Sequence, residues 1–214
     1  MNIIWYGQSC FQIIVQKIKD NPVKIVIDPL EQGIGLKAPK LEADILLKSS
    51  AFAQYGDVQA QGFLIDKPGE YDIKDVFVQG ISCINKEDKN KDIIIYIIEA
   101  EGIRICDLGR FNKNELSDST LEKIVEADIL ILPIGGANDG GIISSEQAVR
   151  IIKQVDPRIV IPMFYKIPGL TVKLENQEKF LKAMTQKTIE AQDKLSIKKK
   201  NISDKGVEIA LLKP

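Results

Sequence analysis

Short runs rich in isoleucine and valine, cut by turn residues, fill the first half of the chain. Runs of this length and composition predict buried strands at residues 3–6, 10–15, 23–27 and 45–47. The series continues at 62–65, 76–84, 93–99 and 103–106. Pro22 and Asp28-Pro29 mark turns around the third run, and Glu101-Gly102 predicts a tight hairpin turn between the last two. The charged stretch 85–92 reads as a solvated hairpin tip. From Ser117 the period lengthens. Thr120, Leu121, Ile124 and Val125 recur at helical spacing behind Ser117 or Asp118 as N-cap. Residues 127–133 predict a buried strand ending at Gly135-Gly136. Ser144 or Ser145 caps a helix over 146–155, residues 158–163 form another strand, and 175–183 a third helix. Short strands at 195–198 and 207–212 close the chain. Strands first, then strands alternating with helices, predict an α/β architecture of two packed sheets with helices outside, as one domain over residues 1–214.

Composition narrows the function classes. The chain has 214 residues, and 29 basic side chains stand against 30 acidic ones. That balance lacks the basic excess of a nucleic-acid or anionic-membrane binder. The longest strictly apolar run, 93–98, is far too short to span a bilayer. The opening Asn2-Ile3-Ile4-Trp5-Tyr6 has no basic region or cleavage site, so a cytoplasmic location is expected. Cys10, Cys83 and Cys106 have no CxxC spacing and fit reduced, packed thiols. There is no histidine at all. This excludes a Ser-His-Asp triad, a Cys-His pair and any imidazole-based metal site.

Trp5-Tyr6-Gly7-Gln8-Ser9-Cys10-Phe11 resembles the opening strand pair of the metallo-β-lactamase fold, in the branch of ascorbate-phosphate lactonases and small bacterial hydrolases. Those proteins carry Gly-His-Ser-Cys-Phe at this point. Ile27-Asp28-Pro29, Pro68-Gly69-Glu70-Tyr71, Pro133-Ile134-Gly135-Gly136 and Ile159 through Tyr165 match further family segments in the same order. The resemblance covers almost the whole chain. It implies a four-layer αββα sandwich, and a family site that would hold zinc or manganese.

The ligand positions of that family are replaced. The His-x-His-x-Asp-His run that follows the fourth strand is here Ser50-Ala51-Phe52-Ala53-Gln54-Tyr55, so Ser50, Phe52, Gln54 and Tyr55 occupy its ligand positions. Gln8 and Phe164 stand where the opening and closing motifs carry His. After residues 103–105, a gapless register puts Asp107 in place of a His and Arg110 in place of a bridging Asp. A shifted register makes Asp107 the retained Asp. Imidazoles and carboxylates converging without a metal would leave buried polar groups unpaired, at about 1–3 kcal/mol each. Phe52, Tyr55 and Phe164 are therefore expected to fill the former cavity with carbon, and Arg110 to neutralise Asp107.

Three functional readings remain. The first is a pseudoenzyme without metal or catalytic residues, acting in binding or assembly with a second copy or an active paralogue. The second is a small-molecule binder, with a residual cleft near Gln8, Ser50, Asp107 and Tyr165. The third is a divergent hydrolase in which Asp28, Glu70 and Asp107 act as base or as ligands of a hard divalent cation, which needs no imidazole. Against the third, Asp28 suits a cap on the turn before Pro29, and Glu70 suits bonding to backbone amides. Cys10 has no His to activate it, and a carboxylate beside Cys106 would raise its thiol pKa. Gly135-Gly136 with Asn138-Asp139-Gly140-Gly141 lacks the Lys and Ser/Thr of a P-loop and reads as close backbone approach. Lys198-Lys199-Lys200 reads as a solvated turn rather than a phosphate contact.

Overall fold

A computed structural model describes residues 1–17, 21–51, 53–56, 58–84, 92–113, 115–136, 141–186, 188–203 and 205–214. Phe52, residues 85–91 of the predicted charged tip, and Asn138, Asp139 and Gly140 lie outside that set.

The isoleucine-rich runs assemble two sheets that share one core. Strands β1 (Asn2–Trp5), β2 (Phe11–Val15), β3 (Val23–Ile27), β4 (Glu42–Leu47) and β5 (Gln59–Ile65) lie side by side in chain order, with β12 (Leu195–Ser196) beyond β1. The second sheet begins with β6 (Gly69–Ile73), β7 (Val76–Cys83), β8 (Ile93–Ala100) and β9 (Ile103–Asp107). It continues through β10 (Ile129–Pro133) and β11 (Ile159–Met163) to β13 (Glu208–Ile209). Each sheet passes from antiparallel hairpins to parallel pairing: β3 with β4 and β4 with β5 in the first, β9 with β10 and β10 with β11 in the second. Parallel strands end on the same side. The C-terminal ends of β3, β4, β9 and β11 therefore carry Asp28, Ser49, Asp107 and Phe164 to one rim of the sandwich.

Alternation along the strands sorts the side chains. Ile3, Trp5, Phe11, Ile13, Ile25, Ile27, Ile45 and Leu47 point inward to the second sheet's Ile95, Ile97, Ile105 and Ile131 in one cluster. Tyr96 fastens the sheets together. Its hydroxyl lies 2.9 Å from the carbonyl oxygens of both Lys48 and Ile65, and its one proton is shared between them.

Helix α1 (Asp118–Ile124) starts at Ser117, whose side chain accepts from the Thr120 amide. Helix α2 (Ser145–Val155) starts at Ser144 with a reciprocal capping box to Gln147. It packs on β10 and holds α1 and α3 (Gln177–Ala183) at its flanks. The outer face of the first sheet is covered differently. Cys10, Val26, Leu46 and Ala43 pack there against Leu30, Ile34 and Leu41 of an irregular segment. Pro29, Gly33, Gly35 and Pro39 keep that segment from coiling into a helix.

Two local expectations are revised. Strand β6 is absent from the strands that the hydrophobic pattern predicts: Gly69 to Ile73 forms a hairpin with β7. Lys74 and Asp75 close that hairpin with positive φ of 53° and 59°, a turn that usually calls for Asn-Gly. The tail strands are two residues each, shorter than their apolar runs. The Glu101-Gly102 turn forms as expected, with positive φ at both positions. Lys199 sits in a short turn and binds Asp128 at 2.6 Å. No described helix is long and apolar enough to cross a membrane.

Candidate functional site

The strand-end rim is where the backbone departs from ordinary geometry. Gln8, Asp28 and Phe164 all adopt the left-handed region, with φ of 51°, 43° and 51°. For residues with a Cβ this costs roughly 1–2 kcal/mol each, and such strain gathers at functional sites. Gly135 serves the same corner. A Cβ there would stand 2.0 Å from the Phe164 carbonyl oxygen, so only glycine allows β10 to exit beside β11.

Below the rim lies an acid pocket. Asp28 is 1% exposed and Asp107 is fully buried. The Ser49 amide donates to Asp28 Oδ1 at 2.7 Å and the Ser49 hydroxyl to Oδ2 at 2.5 Å. Tyr55 and Ser9 also hydrogen-bond to Asp28 through their side chains. The Tyr55 hydroxyl in turn accepts from the Ser50 amide at 3.1 Å. Asp107 is less well provided for: Oδ1 accepts from the Gly109 amide at 3.2 Å, and Oδ2 has no hydrogen-bond partner among the described residues. Burial raises the pKa of both acids. For Asp107 the charge of Asp28 pushes it further up, while for Asp28 the Ser49 bonds oppose the rise. Burial and the charge of Asp28 likewise hold the Tyr55 phenol protonated.

Beside this pocket a cleft of about 220 Å³ opens to solvent. Gln8, Glu31 and Arg110 supply its polar wall, and Ile34, Ile142 and Phe164 much of its apolar one. Arg110 Nη1 binds Glu31 Oε1 at 2.5 Å, and the guanidinium carbon sits 5.2 Å from the Phe164 ring centroid. Gln8 is 8% exposed, and its Oε1 is buried without a partner among the described residues. The single tryptophan supports this wall from behind. Trp5 Nε1 donates to the Gln8 carbonyl at 2.9 Å, and its ring lies 4.9 Å from that of Tyr165.

Several expectations change against this geometry. Arg110 turns to Glu31 and Phe164 rather than to Asp107, because Asp107 is sealed beneath the rim. Glu70 joins neither acid: it is exposed on the edge strand β6, where Gln79 Nε2 donates to it at 2.9 Å. Asp28 does not cap its own turn, and instead ties β3 to the end of β4. Gln54 is exposed, and its backbone carbonyl accepts from the Gln32 amide at 3.4 Å. Tyr55 does more than fill volume, since its hydroxyl is part of the Asp28 network. Phe164 is buried, and it lines the cleft. The cleft sits at Gln8 as expected, but Ser50, Asp107 and Tyr165 do not line it. Tyr165 is buried, and its hydroxyl donates to the Leu212 carbonyl at 3.2 Å. Glu31 was missed entirely, because nothing local marks it as a partner of a residue far along the chain.

The donor set does not fit a zinc or manganese pair. The oxygens of Asp28 are engaged by hydroxyl and amide donors, and no imidazole is present in the chain. Burial pushes the Cys10 thiol up to about 12 and raises Cys106 as well, so neither offers a thiolate. Among the described residues, no group of three or more Cys, Asp or Glu side chains could hold a metal ion.

Comparison with known proteins agrees with the architecture. A sequence profile described as the Beta-lactamase superfamily domain matches residues 2–164. A UPF0173 protein of Pyrococcus furiosus is 26% identical over 192 residues, covering 77% of this chain and 83% of the relative. A solved structure from Thermotoga maritima, named as a candidate Zn-dependent hydrolase of the metallo-beta-lactamase superfamily, is 25% identical. It superposes with a TM-score of 0.79 over 99% of both chains. The metallo-beta-lactamase fold protein YhfI of Bacillus subtilis is similar in fold alone, at 11% identity. Its TM-score is 0.60, over 98% of this chain and 95% of its own.

Proposed function

The chain belongs to the beta-lactamase superfamily, and from that premise we propose that it is a non-hydrolytic binding protein on the superfamily's frame. The observation that carries this reading is the makeup of the strand-end rim. A guanidinium paired to Glu31 and stacked on Phe164 stands beside two buried acids, one of them saturated by Ser49. Such a wall recognises a ligand through fixed donors and an apolar face. It has no neutral imidazole to act as base near pH 7.

The test is elemental analysis of purified protein without a polyhistidine tag, together with turnover assays on lactones, phosphodiesters and thioesters. The expected result is metal well below one equivalent and no turnover. Stoichiometric metal, or turnover that vanishes in Asp107→Asn, would instead support a divergent hydrolase working through Asp28 and Asp107.

Phe63 and Leu64 favour a second role beside the first. They are 57% and 51% exposed on β5, the outermost strand of its sheet. An apolar edge of this kind is a template for pairing with a second copy. Light scattering that gives a dimer, reduced to a monomer by Leu64→Lys, is the expected result. A monomer for the unaltered chain would remove this role.

A further inference from the structure

The rim reading leaves the ligand unnamed, and the cleft's charge and hydrogen-bonding inventory narrows it. Its volume of about 220 Å³ would hold roughly seven waters at ~30 Å³ each, which limits an occupant to a small molecule. The two charges on its wall, Glu31 and Arg110, already bind each other at 2.5 Å. Their sum is zero. An anion would gain Arg110 and meet Glu31, a cation would gain Glu31 and meet Arg110, and a zwitterion would have to part the pair. An uncharged head leaves the pair intact and still finds an acceptor in Glu31 and donors in the guanidinium.

Gln8 sharpens the choice. Its side chain is more than nine-tenths buried on the cleft wall, and its Oε1 has no partner among the described residues. The terminal torsion of a glutamine is soft, so rotation of the amide can turn this oxygen toward the cleft that the side chain lines. A head that bears both an N–H and a C=O on one plane pairs with the Gln8 amide whichever way it faces. The Phe164 ring, Ile34 and Ile142 leave the remaining wall apolar.

We infer that the cleft binds a small uncharged ligand with an apolar body and a primary-carboxamide head, paired with Gln8 and seated against Arg110–Glu31. This names the ligand class of the non-hydrolytic reading and rests on it for the role of the site.

The experiment compares benzamide, benzoate and protonated benzylamine, three heads on one apolar ring, by ligand-observed NMR titration of tag-free protein. Benzamide is expected to bind at least tenfold more tightly than either charged analogue. Gln8→Leu removes the paired amide, and Val172→Trp fills the mouth from an exposed rim position. Each should weaken benzamide at least tenfold, with an unchanged circular dichroism melt for the second. Benzoate or benzylamine binding as tightly as benzamide would overturn the assignment, as would no benzamide binding at ~10 mM. Conversion of bound benzamide and water to benzoate and ammonium would uphold the ligand class and overturn the non-hydrolytic reading. The two inferences can therefore fail separately.

Discussion

The acid pocket and the cleft share one rim, yet they handle charge in opposite ways. In the pocket, two acids are buried together: Ser49 and Tyr55 supply donors to Asp28, while Asp107 accepts only the Gly109 amide, on one of its oxygens, among the described residues. In the cleft, two opposite charges face each other at the surface, with Glu31 and Arg110 side chains 23% and 28% exposed. On the proposed reading, the pocket serves stability and the cleft recognition. Acids sealed away from bulk solvent hold the strand ends in place and answer to pH. A partly exposed ion pair contributes little to folding.

Substitutions that separate the two regions test this division. The largest effect is expected for Asp28→Ala, which leaves the Ser49 amide and hydroxyl without their acceptor. The cost should be about 3 kcal/mol in urea denaturation. A loss below ~1 kcal/mol would mean that the pocket does not hold the strand ends.

Asp107→Asn should act in the other direction. The folded pKa of Asp107 lies above its unfolded value, so the native state binds more protons than the unfolded chain between those two values. Stability is then fully present at the acidic end of that window and declines as pH rises through the folded pKa. The amide removes this titration. A gain of about 1 kcal/mol at pH 8, with a flatter stability profile from pH 4 upward, is the expected result.

Arg110→Ala should cost no more than about 2 kcal/mol, the sum of a partly exposed ion pair and one cation–π contact. A loss several times larger would show that the cleft wall is structural after all. Glu70→Gln should be smallest, within about 0.5 kcal/mol, because its side chain is exposed and its one bond to Gln79 survives as an amide pair.

Local pattern makes much of the fold readable in the sequence. The Ser117 and Ser144 caps, the Glu101-Gly102 turn and the strands expected at 127–133 and 158–163, found at Ile129–Pro133 and Ile159–Met163, follow from side-chain period and cap chemistry. Strand β6 was not readable, because Lys74-Asp75 lacks the small residues that announce a left-handed turn. At the site, the sequence shows that the chain has no histidine, since that is a matter of composition. It did not announce what the replacements would do. The Arg110–Glu31 pair spans 79 positions, and the meeting of Asp28 with Asp107 depends on how two sheets stack. The alternation of a strand tells which way a side chain points, not what the opposite layer places before it.

The support behind Gln8 has a practical consequence. Trp5 is the chain's one tryptophan, 1% exposed, with its indole nitrogen bonded to the Gln8 carbonyl and its ring near Tyr165. Its emission should thus be blue-shifted in the folded state, and it is the chain's only indole fluorophore. No label is required. A shift in that emission when the cleft fills would be an optical readout of occupancy, and its red shift on unfolding would follow the same strand ends that carry the site.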